Sequence, residues 1–412
     1  MPSTHGGFLH GVETHWEWRA EAAIFSHAAG HSIGFCACAF AGDCKWRLQP
    51  ATPSEPVQKS AVPSTKAGIA FLSSFRHTLG LNHQPASNIN MKTPHFLRPL
   101  NSIAALFSLL ALNSHAQINV VQKVADGVYF HEGDVKNSGH CNNGWVIFDD
   151  YVLVVDANFP SGAEVIIPKI KALTDRPVRF AFDTHHHGDH AYGNQVWANQ
   201  GATIVAHVGV LEEMKKGETG LFGDKPGRWE QTAKDRPDVA ASKLKAPSLL
   251  YRSGMIFDDG KHPVELLHFG VAHTQGDGWA WLPKEQILFT GDACVNGPYN
   301  YTGDANIGEW IKTLEAAKKL KPKIVCPGHG PMGGPELLDD QQAYFVALQE
   351  AVKKYAGEEP AKVETAVPLI MSELKKNQRI ARYVGNSLIG QVEKAFIEQG
   401  GQAFPRLGIP AK

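Results

Sequence analysis

Four histidines and two aspartates fall within residues 183–190, in the run DTHHHGDHAYGN. His185 and His187 stand two apart. On an extended segment such residues point the same way, so both imidazoles can reach one ion. Asp189 and His190 follow on a turn softened by Gly188 and can address a second point nearby. Three further donors lie where a short apolar run gives way to a loop: His273 in VAHTQGDG, Asp292 in LFTGDAC and His329 in CPGHGP. Imidazole and carboxylate suit zinc, and a catalytic zinc site keeps one position open for water. The seven residues can hold two divalent ions. His185, His187 and His273 would serve one, Asp189, His190 and His329 the other, and Asp292 would lie between them because a carboxylate has two oxygens. Any one of these histidines alone reads as an ordinary surface or core imidazole; the joint pattern reads as a metal centre. Zinc is the leading candidate, and iron and manganese accept the same nitrogen and oxygen donors.

Neighbours of the run have other roles. His186 alternates away from His185 and His187, so it is expected to face the surroundings of the centre or the surface. His207, ending ATIVAH, is expected near the site without binding metal. Asp183 either orients a ligand imidazole through the ring's other nitrogen or serves a plain turn. Cys294 reads as a thiol behind the metal ligands or in the core, and Cys326 as a packing thiol. The early run GFCACAFAGDC lacks the second ligand pair a zinc site needs.

The elements that must position these donors are legible as short apolar runs. GVYFHEG, NGWVIFDDYVLVVDA, RPVRFAFDT, ATIVAH, MIFDDG, VELLHFG, GWAWLP, QILFTGD and KIVCPGHG read as strands, rich in Val, Ile and aromatic residues. GAEVIIPKIKAL can form a helix with Ser161 as cap and Pro168 as an irregularity, and NQVWANQG a short one. GEWIKTLEAAKKLKP and most of the chain after it read as helical. Residues 208–249 are charged and rich in Gly and Pro, which predicts a long loop of the kind that is functional or mobile. Strands first and then mixed strand and helix suggest two sheets in a sandwich flanked by helices.

The chain has 412 residues, 43% hydrophobic, with a formal net charge of −1. That near-neutral balance argues against a nucleic-acid partner bound by broad phosphate neutralisation. Six scattered cysteines do not make a disulfide framework. Residues 91–116 open with Met91, carry Lys92 and Arg98, continue through the apolar run IAALFSLLAL and end in Ser114-His115-Ala116. This is the three-part layout of a secretory signal peptide. Residues 1–90 are then expected to be an upstream extension called in error, or a poorly ordered leader. The mature chain starts at Gln117, its address is the periplasm or outside the cell, and it has no stable membrane insertion after cleavage.

The motifs THHHGDH (184–190), AHTQGD (272–277), FTGDAC (289–294) and PGHGP (327–331) together resemble the metallo-β-lactamase superfamily. With the early strands they cover residues 120–345. The resemblance implies an α/β (α+β) fold: an αββα sandwich over residues 117–345 with the metal site at one edge. Residues 346–412 would be a helical C-terminal extension packed on it. Asp292 stands where zinc β-lactamases usually carry Cys or Ser. An aspartate there resembles glyoxalase II, lactonases and other dinuclear hydrolases.

The chemistry that follows is hydrolysis. A metal-bound hydroxide attacks the carbonyl of an ester, thioester or lactone, and Asp189 both binds metal and accepts a proton. The partner is a small-molecule substrate. Phe222 and Trp229 in the 208–249 segment, and Tyr299 and Tyr301 in NGPYNYTGD, are the candidate substrate contacts. A β-lactamase is the alternative reading, and a non-catalytic zinc-binding protein a further one.

Overall fold

A computed structural model describes residues 118–217 and 227–406. The signal-peptide pattern and the early cysteine run lie outside those residues, as does Phe222.

Two sheets form the frame. One has seven strands in chain order: β1 (Val121–Ala125), β2 (Val128–His131), β3 (Asn143–Ile147), β4 (Val152–Val155), β5 (Val178–Asp183), β6 (Thr203–His207) and β7 (Leu249–Tyr251). Its first four strands pair antiparallel, and β4 to β7 pair parallel. The second has five, β8 (Gly254–Phe257), β9 (Val264–Leu267), β10 (Trp279–Leu282), β11 (Ile287–Phe289) and β12 (Ile324–Cys326), antiparallel except for the parallel pair β11–β12.

Alternation along the strands assigns each face. Leu153 and Val155 of β4, with Phe182 of β5, join Leu266, Ile287 and Phe289 from the other sheet in one buried cluster between the sheets. Val152 and Val154, one residue out of phase, face the opposite way, onto helix α2 (Pro160–Lys171) through Ile166 and Ile170. In β11, Leu288 turns away from Ile287 and Phe289 toward the C-terminal helices. This period of two, apolar on both faces, requires cover on both sides of each sheet. The result is helix, sheet, sheet, helix, the expected sandwich.

The outer layer on the second sheet contains four long helices: α8 (Ile307–Lys318), α9 (Glu336–Lys353), α10 (Pro360–Lys375) and α11 (Leu388–Glu398). Trp310 of α8 packs against Phe345 of α9 with the rings tilted, at a 4.4 Å centroid distance. Helix α9 crosses position 345, where the sequence suggested a boundary. Its residues on either side, Tyr344, Phe345, Leu348 and Val352, belong to one cluster with Trp279 and Leu288.

Three expectations are corrected. The span 208–249 contains helices rather than one long loop: α5 (Val208–Gly217), α6 (Arg228–Asp235) and α7 (Pro237–Ala240). Apolar positions in α6 are too few to show a helical period, yet Glu230 accepts from the Gly227 backbone at its start, 2.7 Å, and Trp229 is buried against Tyr192. Helix α2 begins at Pro160, whose missing N–H costs nothing at that position; Ser161 is not the cap and instead donates to Asp238 at 2.6 Å. Strands β1 and β7 also lie outside the runs read as strands, because β1 is diluted by Gln122 and Lys123 and β7 has three residues.

Candidate metal centre and its cavity

Loops at one edge of the sandwich bring the seven donors together. His185 and His187 follow β5, and His190 lies in the single turn α3 (Gly188–Ala191). Asp292 follows β11 in a 3-10 turn, and His329 follows β12. Parallel strands of each sheet, β5 in the first and β11 and β12 in the second, end here, so their loops leave the sheets on the same side. His273 comes from the connection between β9 and β10. Asp277 holds that connection, accepting from the Ala272 and Thr274 backbones at 3.2 and 2.8 Å and from the Thr274 hydroxyl at 2.9 Å. Asn142 ties the His329 loop to the first sheet by donating to the carbonyls of Pro327 and Gly330 at 2.8 and 2.7 Å. Gly328 permits a close approach: a Cβ there would stand 2.1 Å from Asp292 Oδ1.

Among the seven donors, three sets have ligand atoms within 4.8 Å of one another: His185, His187 and His273; Asp189, His190 and His329; and His185, His190 and Asp292. His273 Nε2 and His185 Nε2 approach His187 Nδ1 at 2.8 and 3.2 Å. Asp292 reaches both sides of the cluster. Its Oδ2 is 3.7 Å from His273 Nε2 and 3.4 Å from His329 Nε2, and its Oδ1 is 3.3 Å from His190 Nε2. Asp189 Oδ2 is 3.0 Å from His329 Nε2.

The charge states divide the cluster. Burial lowers His273 to about 3 and holds His185 well below the ordinary histidine range, with the neighbouring imidazoles adding to it, so both rings are neutral. Burial also opposes charge on His329, but Asp292 and Asp189 raise it to about 9. Burial would raise Asp189 and Asp292, yet the adjoining His190 and His329 hold both well below the carboxylate range.

This arrangement fits a divalent cation. His190 Nε2 and Asp292 Oδ1 are buried and face each other without a hydrogen bond. Neutral imidazole nitrogens converge on His187 Nδ1, where at most one proton can be shared. A cation among these lone pairs would satisfy them together.

Comparison with known proteins agrees with the geometry. The model of the metallo-beta-lactamase superfamily matches residues 138–329. That span contains all seven donors. Residues 138–329 are a metallo-β-lactamase superfamily domain.

Among curated relatives, the metallo-beta-lactamase type 2 of Bacteroides fragilis is 35% identical over 123 residues, 28% of this chain and 49% of that protein. That of Pseudomonas aeruginosa is 34% identical over 82 residues, 19% of this chain and 32% of that protein. The chain thus spans half or less of the length of these two relatives. A solved metallo-beta-lactamase from Pontibacter korlensis is 20% identical with a TM-score of 0.46, over 55% of this chain and 98% of that one.

The metallo-β-lactamase domain of this chain opens its centre into a cavity of about 550 Å³ lined by His187, Asp189, Asp292 and His329. Tyr299 and Tyr301, the candidate substrate contacts, line it. The Tyr299 ring lies 5.5 Å from that of His329, and the Tyr301 ring 5.4 Å from that of His187, one on each half of the cluster. Trp229 does not line it. Its ring is buried with Tyr192 and Val239, because α6 turns that side inward and presents Arg228, Gln231 and Thr232 to the cavity at helical spacing.

The surroundings of the donors were less legible. Asp183 orients no imidazole; it accepts from Asn194 at 2.7 Å. That role belongs to Asp156, which accepts from the Thr184 backbone through Oδ1 and lies 2.9 Å from His190 Nδ1 through Oδ2. Asp156 adopts a left-handed φ of 66° at the end of β4. A buried aspartate after the run VLVV was the available signal. Asp304, 2.8 Å from His187 Nε2, carried none. His186 faces away from the cluster toward Arg228, as alternation predicts. His207 lies off the centre, stacked on His268 at 3.8 Å. Cys294 and Cys326 are core thiols.

Proposed function

We propose that the protein is a metal-dependent hydrolase that binds two divalent ions, zinc foremost, and cleaves the acyl C–O or C–S bond of an ester, thioester or lactone, water supplying the carboxylate oxygen and the alcohol or thiol leaving. One observation carries this reading: Asp292 approaches donors of both halves of the cluster at the floor of a cavity. His185, His187 and His273 would hold one ion, and Asp189, His190 and His329 the other. The ion pair would supply Lewis acidity, making water nucleophilic near neutral pH and polarising a carbonyl oxygen.

The chain's own residues do the rest. Asp189 is the most exposed of the four donors that line the cavity, with 24% of its side chain accessible. Its carboxylate is therefore placed to receive the proton that the attacking water gives up. Hydroxyls of Tyr299 and Tyr301 can donate to a substrate carbonyl or its developing oxyanion, since both rings flank the cluster. Arg228, Gln231 and Thr232 offer donors along the α6 wall.

A second reading is β-lactam hydrolysis. It is favoured by the similarity to the Bacteroides fragilis and Pseudomonas aeruginosa proteins, both named as metallo-beta-lactamases. Elemental analysis of the purified chain, with assays on an aryl ester, a thioester, a lactone and a chromogenic β-lactam, tests both. Two metal equivalents and turnover of an acyl ester, thioester or lactone are expected. Turnover of the β-lactam alone would move the assignment to the second reading. No turnover at full metal occupancy would overturn both. Export is proposed from the pattern at residues 91–116; sequencing the N-terminus of exported protein should read Gln117.

A further inference from the structure

Beside the seven-residue cluster, three lone-pair donors converge on a positive group of the chain itself. Arg228 Nη1 donates to Asp304 Oδ2 at 2.6 Å, and Nη2 donates to Asp304 Oδ1 at 2.7 Å. Nη1 also lies 3.2 Å from His186 Nε2. A guanidinium has no acceptor, so His186 Nε2 accepts and the ring carries its proton on Nδ1. One imidazole lone pair and two carboxylate oxygens aimed at a single cation is how His and Asp bind a divalent ion.

The neighbouring ring is already committed. His187, with His186 and Asp304, completes a group of donors within 4.8 Å. But His187 turns Nε2 to Asp304 at 2.8 Å and Nδ1 to His185 and His273. The donors available to a cation here are therefore His186 Nε2 and the Asp304 oxygens. His186 is buried at 2% exposure, whereas 41% of the Arg228 side chain is accessible, so water can complete a coordination shell from the cavity side.

We propose that His186 and Asp304 form a further divalent-cation site, separate from the seven-residue cluster, and that Arg228 fills it as a built-in substitute for the ion. The guanidinium supplies the countercharge Asp304 needs and keeps free metal off it. Asp304 then stays an acceptor for His187. The same contact fastens α6 to the edge of the cluster.

Metal counting on the full chain tests this. The parent and its variants are dialysed against graded Zn2+ and analysed for bound zinc, with circular dichroism and thermal melting to verify folding. Arg228→Met should bind about one equivalent more than the parent at high zinc. Arg228→Lys, which keeps a cation in place, should match the parent, and adding His186→Ala to Arg228→Met should remove the extra equivalent. Equal counts in the folded Met variant and the parent would overturn the proposal, as would an extra ion that persists without His186. Arg228→Gln, which retains a donor to Asp304 without charge, repeats the comparison should the Met variant not fold. The result is a difference between chains, so it stands apart from the parent's absolute count, which tests the two-ion reading.

Discussion

Asp304 accepts a hydrogen bond from Nε2 of His187 at 2.8 Å. A carboxylate can only accept, so the proton is on Nε2 and the Nδ1 lone pair points to His185 and His273. Burial would raise Asp304, but the contacts from His187 and Arg228 hold it well below the carboxylate range, so it is charged. Such outer contacts fix ring orientation and basicity, and losing one costs roughly 10–100-fold in metal affinity. Asp304→Ala should weaken zinc binding by about that factor, read by competition with a chelating dye.

Asp292 is the donor common to both halves. Asp292→Ala should lower the metal count and reduce kcat/KM by about 10²–10³-fold or more, the scale of losing one electrostatic contact to the reacting group. Elemental analysis and steady-state kinetics on the best substrate check it. Full metal content with unchanged turnover would remove Asp292 from the centre.

Asp156 and Asp183 make a matched pair. Both are buried aspartates ending neighbouring strands, yet only Asp156 contacts a donor ring. Asp156→Asn should weaken zinc binding about 10-fold or more. Asp183→Asn should leave it nearly unchanged, since burial raises Asp183 well above the carboxylate range and a neutral amide can take its place.

His131 should give the fold a pH dependence. Burial, with Lys169 and His140 adding to it, lowers its pKa to about 4 from the ordinary histidine value of 6.5. The unfolded chain then binds more protons than the folded one between those values. The stability contributed by neutral His131 is present above pH 6.5 and is lost as pH falls toward 4. His131→Phe should narrow that loss by up to about 3 kcal/mol. Urea melts of both proteins at pH 7 and pH 4.5 check it; parallel losses would count against the assignment.

Trp310 links the C-terminal layer to the centre. It is fully buried, donates to the Ala293 carbonyl at 2.8 Å and packs edge-on against His273 at 5.4 Å. Trp310→Ala should cost about 3–5 kcal/mol of stability, as large aromatic truncations in cores do. Calorimetry should show a Tm lowered by several degrees, and zinc affinity should fall with it because His273 loses its support.

The seven candidate donors were legible because they lie in short motifs whose spacing has a local meaning. His185 and His187 are two apart, and Asp292 and His329 end apolar runs. The strands were legible where both neighbours of an apolar residue were apolar, as in VLVV. Helix α6 was not, because its apolar face consists of Trp229 and Ala233 alone and packs on Tyr192, which is remote in the chain. Asp304 and Arg228 were invisible for the same reason. Nothing near either residue marks a partner, and they meet 76 residues apart. Local spacing marks which side chains are candidates to bind a cation and which strands carry them. The orientation of each ring, the carboxylate that faces it and the wall that closes the cavity come from the folded chain. Those contacts are set by distance in space between segments far apart in the chain, and no local pattern encodes that distance.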